Sequence, residues 1–371
     1  MKKLFLFLAI ISLTACWQVQ KEKRQTAENV KLPVDTAATA ETVALYNRLF
    51  RLLDSGIMVG HQDDLAYGHS WYKEAGRSDV KDVTGDYPAV AGWELGHLEI
   101  GAEYNLDSVY FADMKQYIRE HYDRGGVTTI SWHGDNIVTG LTAWDCKQDS
   151  VVRTVLPGGS NHEKYLIWLD RLAAFFDGLK DAEGKAIPVI FRMYHEHSGN
   201  WFWWGSEQCM PEEYKQLWRM TVEYLRDTKN VHHLLYAYSP SETRDETHFL
   251  ERYPGNEYVD IVGFDCYAGG KDSAAIARYG EALDRNLQIV TSYAQKSGKI
   301  PTIGETGMES VPYTTYFTQA VYPVIGKYKI SWVLFWRNSY QSSMPQHFYV
   351  PFAGHPSAPD FKQFTDKDNI L

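Results

Sequence analysis

The segment FRMYHEHSGNWFWWG, residues 191–205, places six aromatic side chains in fifteen positions around His195-Glu196-His197. A second run, IPTIGETG, carries an apolar stretch to Glu305. Three kinds of chemistry are open to such residues. Two carboxyl groups flanking a bond can hydrolyse a glycoside, one as nucleophile and one as acid/base. The retaining form of that reaction sets them about 5–5.5 Å apart and splits their pKa values by environment. Alternatively, His195-x-His197 could hold a metal. Positions two apart share a face only while a strand continues, however, and Ser-Gly-Asn follows at once. The motif resembles the paired histidines of metal-dependent barrel hydrolases, but there it belongs to the first strand. Here the first strand reads GHQDD, with one His. A third reading is a groove that captures a glycan without cleaving it. Trp and Tyr present flat apolar faces with a polar edge, but that reading has no need of paired carboxyls.

The elements that must position these groups are legible as eight short apolar runs separated by amphipathic stretches. The runs are GIMVGHQ to His61, YPAVAGWE to Glu94, GGVTTISWH to His133 and IPVIFRMYHE to Glu196. HHLLYAYSP then reaches Ser239, YVDIVGFDCY passes Asp265, IPTIGET ends at Glu305 and YKISWVLFWRN passes Trp336. Most are apolar on both faces of the pleat, as parallel strands buried on both sides should be. Between them lie helical patterns such as MPEEYKQLWRMTVEYLRDTKN, with Pro211 and two Glu in its first turn. Strand–helix alternation repeated eight times predicts an α/β chain folded as a (β/α)8 TIM barrel. The active face of that fold is the C-terminal ends of the strands. There the sequence collects Trp93 and Glu94, His133, His195 and Glu196, Asp265 and Tyr267, Glu305, and Trp336 and Arg337. Buried ionisable groups are costly unless paired, so their convergence on one barrel mouth is a functional signature. Glu196 on the fourth strand and Glu305 on the seventh face each other across it.

The chain has 371 residues and a net charge of -10, with no basic block. That argues against a nucleic-acid partner, which needs a clustered basic face. The opening MKKLFLFLAIISLTAC has a positive start and an apolar stretch too short to span a bilayer. Leu13-Thr14-Ala15-Cys16 resembles the lipobox of bacterial lipoproteins. The expected organisation is a signal peptide over 1–15, lipid attachment at Cys16, a polar tether over 16–40 and a single catalytic barrel over 41–371. No acidic run follows Cys16, which favours a lipid-anchored protein of the cell envelope facing the periplasm over one displayed on the surface. Of the remaining cysteines, Cys266 reads as buried and free. Cys146 and Cys209 lie in loops, where a bridge between them depends on geometry.

With these residues in place, the sequence resembles glycoside hydrolase family 26, mostly β-1,4-mannanases with some lichenase-type and xylanase-type members. FRMYHEHSGNWFWWG resembles its acid/base motif, IVGFDCY its sixth-strand motif, IGETG its nucleophile motif and SWVLFWRN its last strand. ISWHGDN also fits, and the likeness runs from about Gly56 to Asn338. The resemblance implies a (β/α)8 barrel with catalytic glutamates on strands four and seven, net retention and no cofactor or metal. It implies a monomer acting on β-mannan, galactomannan or manno-oligosaccharides, with mannobiose as the product if loops wall off the glycone side. A β-1,3-1,4-glucanase or β-xylanase on the same machinery is the alternative. Position by position, Glu196 corresponds to the general acid/base and Glu305 to the nucleophile. His195 would hydrogen-bond Glu305 or the sugar beside it. Trp201 would shape the acid/base side of the cleft, Tyr267 would sit against Glu305 and Asp265 would orient its neighbours. Trp336 would lie under the reacting sugar, with His133 and Arg337 bonding the glycone side. Trp203 and Trp204 divide between packing and the groove, and Trp93, Glu94 and His97 between sugar contact and support. The chain departs from many related sequences at His197-Ser198, where Met-Asn is common. The stretches Ala66–Asp86 and Thr139–Asn161 are the loops expected to shape the ends of the groove.

Overall fold

A computed structural model describes residues 30–148 and 150–371. The signal-like opening, Cys16 and the first part of the tether lie outside the described residues. Eight parallel strands form the barrel: β1 (Met58–Gln62), β2 (Val90–Glu94), β3 (Val127–Trp132), β4 (Val189–Met193), β5 (Leu234–Tyr238), β6 (Ile261–Val262 and Asp265–Tyr267), β7 (Ile300–Pro301 and Ile303–Gly307) and β8 (Trp332–Phe335). Each neighbour in the ring is the next strand in sequence. β8 closes it onto β1, with Met58 beside Trp332. The ring also holds between β6 and β7, where Ile300 pairs with Ile261 and Glu305 with Asp265.

The eight runs read from the sequence are these eight strands, with ends that differ by a residue or more in several. β4 ends at Met193 rather than at Glu196, because Tyr194 and Glu196 have φ of 47° and 53°. That left-handed backbone costs a non-glycine residue roughly 1–2 kcal/mol. β6 breaks between Val262 and Asp265, and β8 stops at Phe335, one residue before Trp336. In β4 and β8 regular pairing ends just before the site side chains, whereas in β6 it resumes at Asp265.

The barrel interior is layered. At its N-terminal end Met58, Val90, Val127, Ile190, Leu235, Ile261, Ile300 and Trp332 form one apolar cluster with Leu45, Tyr46 and Leu49. Those last three belong to the helix Ala40–Leu52, which closes the floor of the barrel. The helix starts on Thr39, whose hydroxyl accepts from the backbone of Thr42, a standard N-cap. Higher up, the inward positions turn polar. The outward positions of the same strands join the helices in a second core that includes Phe191, Met193 and Tyr214. Cys146, Cys209 and Cys266 are all free, so the bridge between Cys146 and Cys209 does not form. Among the described residues no helix is long and apolar enough to cross a membrane.

Candidate active site

Alternation along β4 puts Phe191 and Met193 in the outer core and turns Ile190 and Arg192 inward. Arg192 is 3% exposed and reaches across the barrel to two acids. Its Nη1 donates to Asp265 Oδ2 at 2.8 Å, and its Nη2 donates to Glu305 Oε1. Asp265 is held in turn by the Ser239 hydroxyl at 2.7 Å. The Tyr267 hydroxyl donates to the other Glu305 oxygen at 2.7 Å. Glu305 therefore sits between a fixed guanidinium and a fixed phenol, each donating to one of its two oxygens.

Glu196 has the opposite surroundings. Burial first, and then the charge of Glu305, push its carboxyl up to about 7. The Trp201 indole N–H, donating to Glu196 Oε2 at 2.7 Å, partly offsets this. The side chain is presented by the left-handed turn after β4, anchored by a bond from the Glu196 N–H to the Ser239 carbonyl at 2.8 Å. A buried carboxyl that holds its proton, facing a second carboxyl held in place by two donors, is what acid/base chemistry paired with nucleophilic attack requires.

His133 forms the next wall. Its Nδ1 lies 2.7 Å from Glu94 Oε2. Glu94 also accepts from the Ser131 hydroxyl at 2.6 Å and from the His133 backbone at 2.7 Å. Burial works against charge on both partners, but their mutual attraction outweighs it. Glu94 is held below its ordinary value and His133 above it. With Nδ1 committed to Glu94, Nε2 is the nitrogen left for a ligand. Glu94 is thereby a support for His133. Trp93 is fully buried and stacks on Tyr117, while His97 is partly exposed with its Nε2 4.0 Å from Asp135.

The structure brings Glu196, Glu305, His133, His195, Trp201, Asp265 and Tyr267 together at the barrel mouth. Trp336 is half-buried, its ring centroid 6.4 Å from His133. Arg337 lies to one side, its Nη2 3.1 Å from Asp107 Oδ1. Of the two partners expected for His195, Glu305 is not bonded: His195 Nε2 is 3.9 Å from Glu305 Oε1, beyond hydrogen-bond reach. Burial, and then Arg192, hold His195 neutral, well below its usual range. Its ring instead meets His133 edge-on at 4.4 Å. Trp203 and Trp204 are buried, donating to the Gly134 and His195 carbonyls at 2.9 and 2.8 Å. They brace the loop.

The two histidines of the H-x-H motif diverge. His195 faces the mouth, whereas His197 packs between Tyr214 and Tyr238 at 4.5 and 4.7 Å. Among the described residues, His195, Asp265 and Glu305 bring possible ligand atoms within 4.8 Å of one another. Arg192 already bonds both of those carboxylates and supplies the positive charge there.

Two contributors escaped sequence reasoning. Arg192 stood inside an apolar run, and its parity with inward Ile190 was the available signal. Trp144, 49% exposed, stacks on His133 with centroids 5.0 Å apart and planes at 12°. It lies in the Thr139–Asn161 loop, which is tied to the other side of the cleft by a bond from the Trp203 N–H to the Ala143 carbonyl at 3.1 Å.

The family model for glycosyl hydrolase family 26 matches residues 34–323. The chain is 32% identical over 359 residues to a mannan endo-1,4-β-mannosidase of Bifidobacterium adolescentis, covering 91% of this chain and 35% of that one. It is also 32% identical over 232 residues to a mannan endo-1,4-β-mannosidase of Bacillus subtilis, covering 59% and 61%. The chain thus spans about a third of the first relative's length and less than two thirds of the second's. Among solved structures, a family 26 β-mannanase from Bacteroides ovatus superposes with a TM-score of 0.87 at 44% identity, covering 90% of this chain and 95% of that one. The catalytic domain of an endo-β-1,4-mannanase from Bacillus sp. JAMB-750 gives 0.84 at 34% identity, covering 92% and 93%.

Proposed function

Since the chain belongs to glycosyl hydrolase family 26, we propose that it hydrolyses β-1,4-mannosidic bonds in mannan, galactomannan or manno-oligosaccharides with net retention. The observation that carries this reading is the contrast between the two carboxyls. Glu305 is bonded by Arg192 and Tyr267, while Glu196 is drawn up to about 7 by burial and by Glu305. Glu305 attacks the anomeric carbon as Glu196 protonates the departing oxygen. Glu196, now a carboxylate, takes a proton from water, and that water releases the sugar from Glu305. Trp201 steers the Glu196 proton, and His133 and Arg337 bond the glycone side. Trp336 and Trp144 offer the rings against which sugars lie.

Mannan is favoured over β-glucan and xylan because the relatives described above are named mannanases. The opening sequence supports a lipid anchor at Cys16 and a periplasm-facing location, a placement that suits a monomer trimming oligosaccharides. The test is a product profile on mannan, barley glucan and xylan. Preferential hydrolysis of mannan to short manno-oligosaccharides is expected, and a preference for glucan or xylan would overturn the substrate assignment.

A further inference from the structure

A buried cation bonds the loop that carries Trp201. Arg252 follows the helix Glu246–Leu250, between β5 and β6, and is 2% exposed. Its Nη1 donates to the Trp204 carbonyl at 3.2 Å and to Cys209 Sγ at 3.4 Å. Its Nη2 donates to the Ser206 carbonyl at 3.0 Å and to the Cys209 carbonyl. Its Cζ lies 5.5 Å from the centre of the Tyr214 ring, and the Tyr214 hydroxyl donates to the Tyr194 carbonyl at 2.9 Å.

Burying a guanidinium is costly, and here its bonds run to carbonyls and a thiol of one loop. A planar fork ties several carbonyls at once, which a single ammonium cannot match. What the fork fixes is the turn around Trp201. The Ser206 N–H donates to the Gly199 carbonyl at 2.7 Å, which closes the segment Gly199–Ser206 into a loop with Trp201 inside it. In the same segment the Trp204 indole N–H bonds the His195 carbonyl, one residue before Glu196. Arg252 thus bonds the carbonyls of both residues that close this turn, Trp204 and Ser206. Trp201 itself is 40% exposed. Little packing holds its ring, so its aim at Glu196 Oε2 follows from the backbone of the turn. The other charges acting on Glu196 are Glu305, His133 and Arg192, and Arg252 bonds none of them.

We propose that Arg252 is a positioning residue for the acid/base, pinning the turn Gly199–Cys209 so that the Trp201 indole stays on Glu196. The kinetic part of its test rests on the mannan-hydrolase reading above. The experiment uses the full chain, with Arg252→Met and Trp201→Phe made singly and together, and melting curves to verify folding. The Glu196 carboxyl is titrated by NMR on protein carrying carbon-13 glutamate, its signal assigned by its loss in Glu196→Gln. Arg252→Met is expected to raise the Glu196 midpoint by about half a pH unit, because a carboxylate that loses a donor holds its proton more tightly. The shift should shrink to less than about 0.2 unit when Trp201 is already Phe, since the two residues act through one bond. Arg252→Met should also lower kcat/KM about tenfold on mannotetraose, whose leaving sugar needs a proton. It should lower it less than about twofold on 2,4-dinitrophenyl β-mannobioside, whose leaving group departs as an anion. If Arg252→Met does not fold, Arg252→Lys, which keeps the charge but not the fork, is read in the same way. An equal midpoint shift in both Trp201 backgrounds, no shift in a folded variant, or an equal loss on both substrates would overturn the proposal. Wild-type turnover of mannotetraose checks the mannan reading separately. Without that turnover the mannan reading fails, while the titration still decides the role of Arg252.

Discussion

At the residue scale, the division of labour rests on how one proton is held. The acid role proposed for Glu196 requires its protonated form, and burial and Glu305 push its carboxyl up to about 7. The value of kcat/KM should therefore fall as pH rises through about 7. Trp201 lowers that value by donating to the carboxylate. Trp201→Phe removes the donor, so the alkaline limb should move upward by roughly one pH unit, the size of a single hydrogen bond to a charged group. A pH–rate profile checks it, and an unmoved or downward-shifted limb would refute the role. Glu196 and Glu305 were readable from sequence because carboxyls at the ends of apolar strands are costly and rarely idle. Arg192 was hidden for a related reason. An Arg amid Val, Ile, Phe and Met looks like an interruption until its two acid partners, 73 and 113 residues away, are seen.

At the element scale, the site depends on where regular strands stop. The sequence runs carried β4 to Glu196, but the left-handed residues that turn Glu196 into the mouth leave no trace in a hydrophobic pattern. Close packing between strand ends is equally invisible there. Gly304 on β7 approaches β6 so closely that an added Cβ would lie 2.5 Å from Asp265 Oδ1 and 2.6 Å from Ser239 Oγ. Both atoms belong to the network that holds Arg192. Gly304→Ala should destabilise the fold by about 1–3 kcal/mol, as overpacking does. It should also lower kcat more than a change of that stability alone explains, through displacement of Asp265. Denaturant unfolding and steady-state kinetics measure the two effects. Native kcat in a stable Gly304→Ala protein would show that the Asp265 position is not critical.

At the scale of the whole molecule, the barrel was the most legible feature. Eight buried parallel strands impose a repetitive apolar signal, and their order fixes which strand ends oppose one another. The floor was not legible, because the helix Ala40–Leu52 falls where a tether was expected to end and its contact with the barrel is made across the ring. Leu49 there is fully buried. Leu49→Ala should cost about 2–5 kcal/mol yet leave kcat per folded molecule unchanged, since the floor is at the opposite end of the strands from the mouth. Thermal unfolding with activity titration tests this, and a large fall in kcat would imply that the floor shapes the site. The proposed reaction turns on covalent attack by Glu305 on a mannose residue. A 2-deoxy-2-fluoro-β-mannosyl fluoride should lose fluoride and leave a stable ester on the enzyme, located by mass spectrometry of its peptides. The label is expected on Glu305, and a label on any other residue, or none while mannan is still hydrolysed, would contradict the assignment.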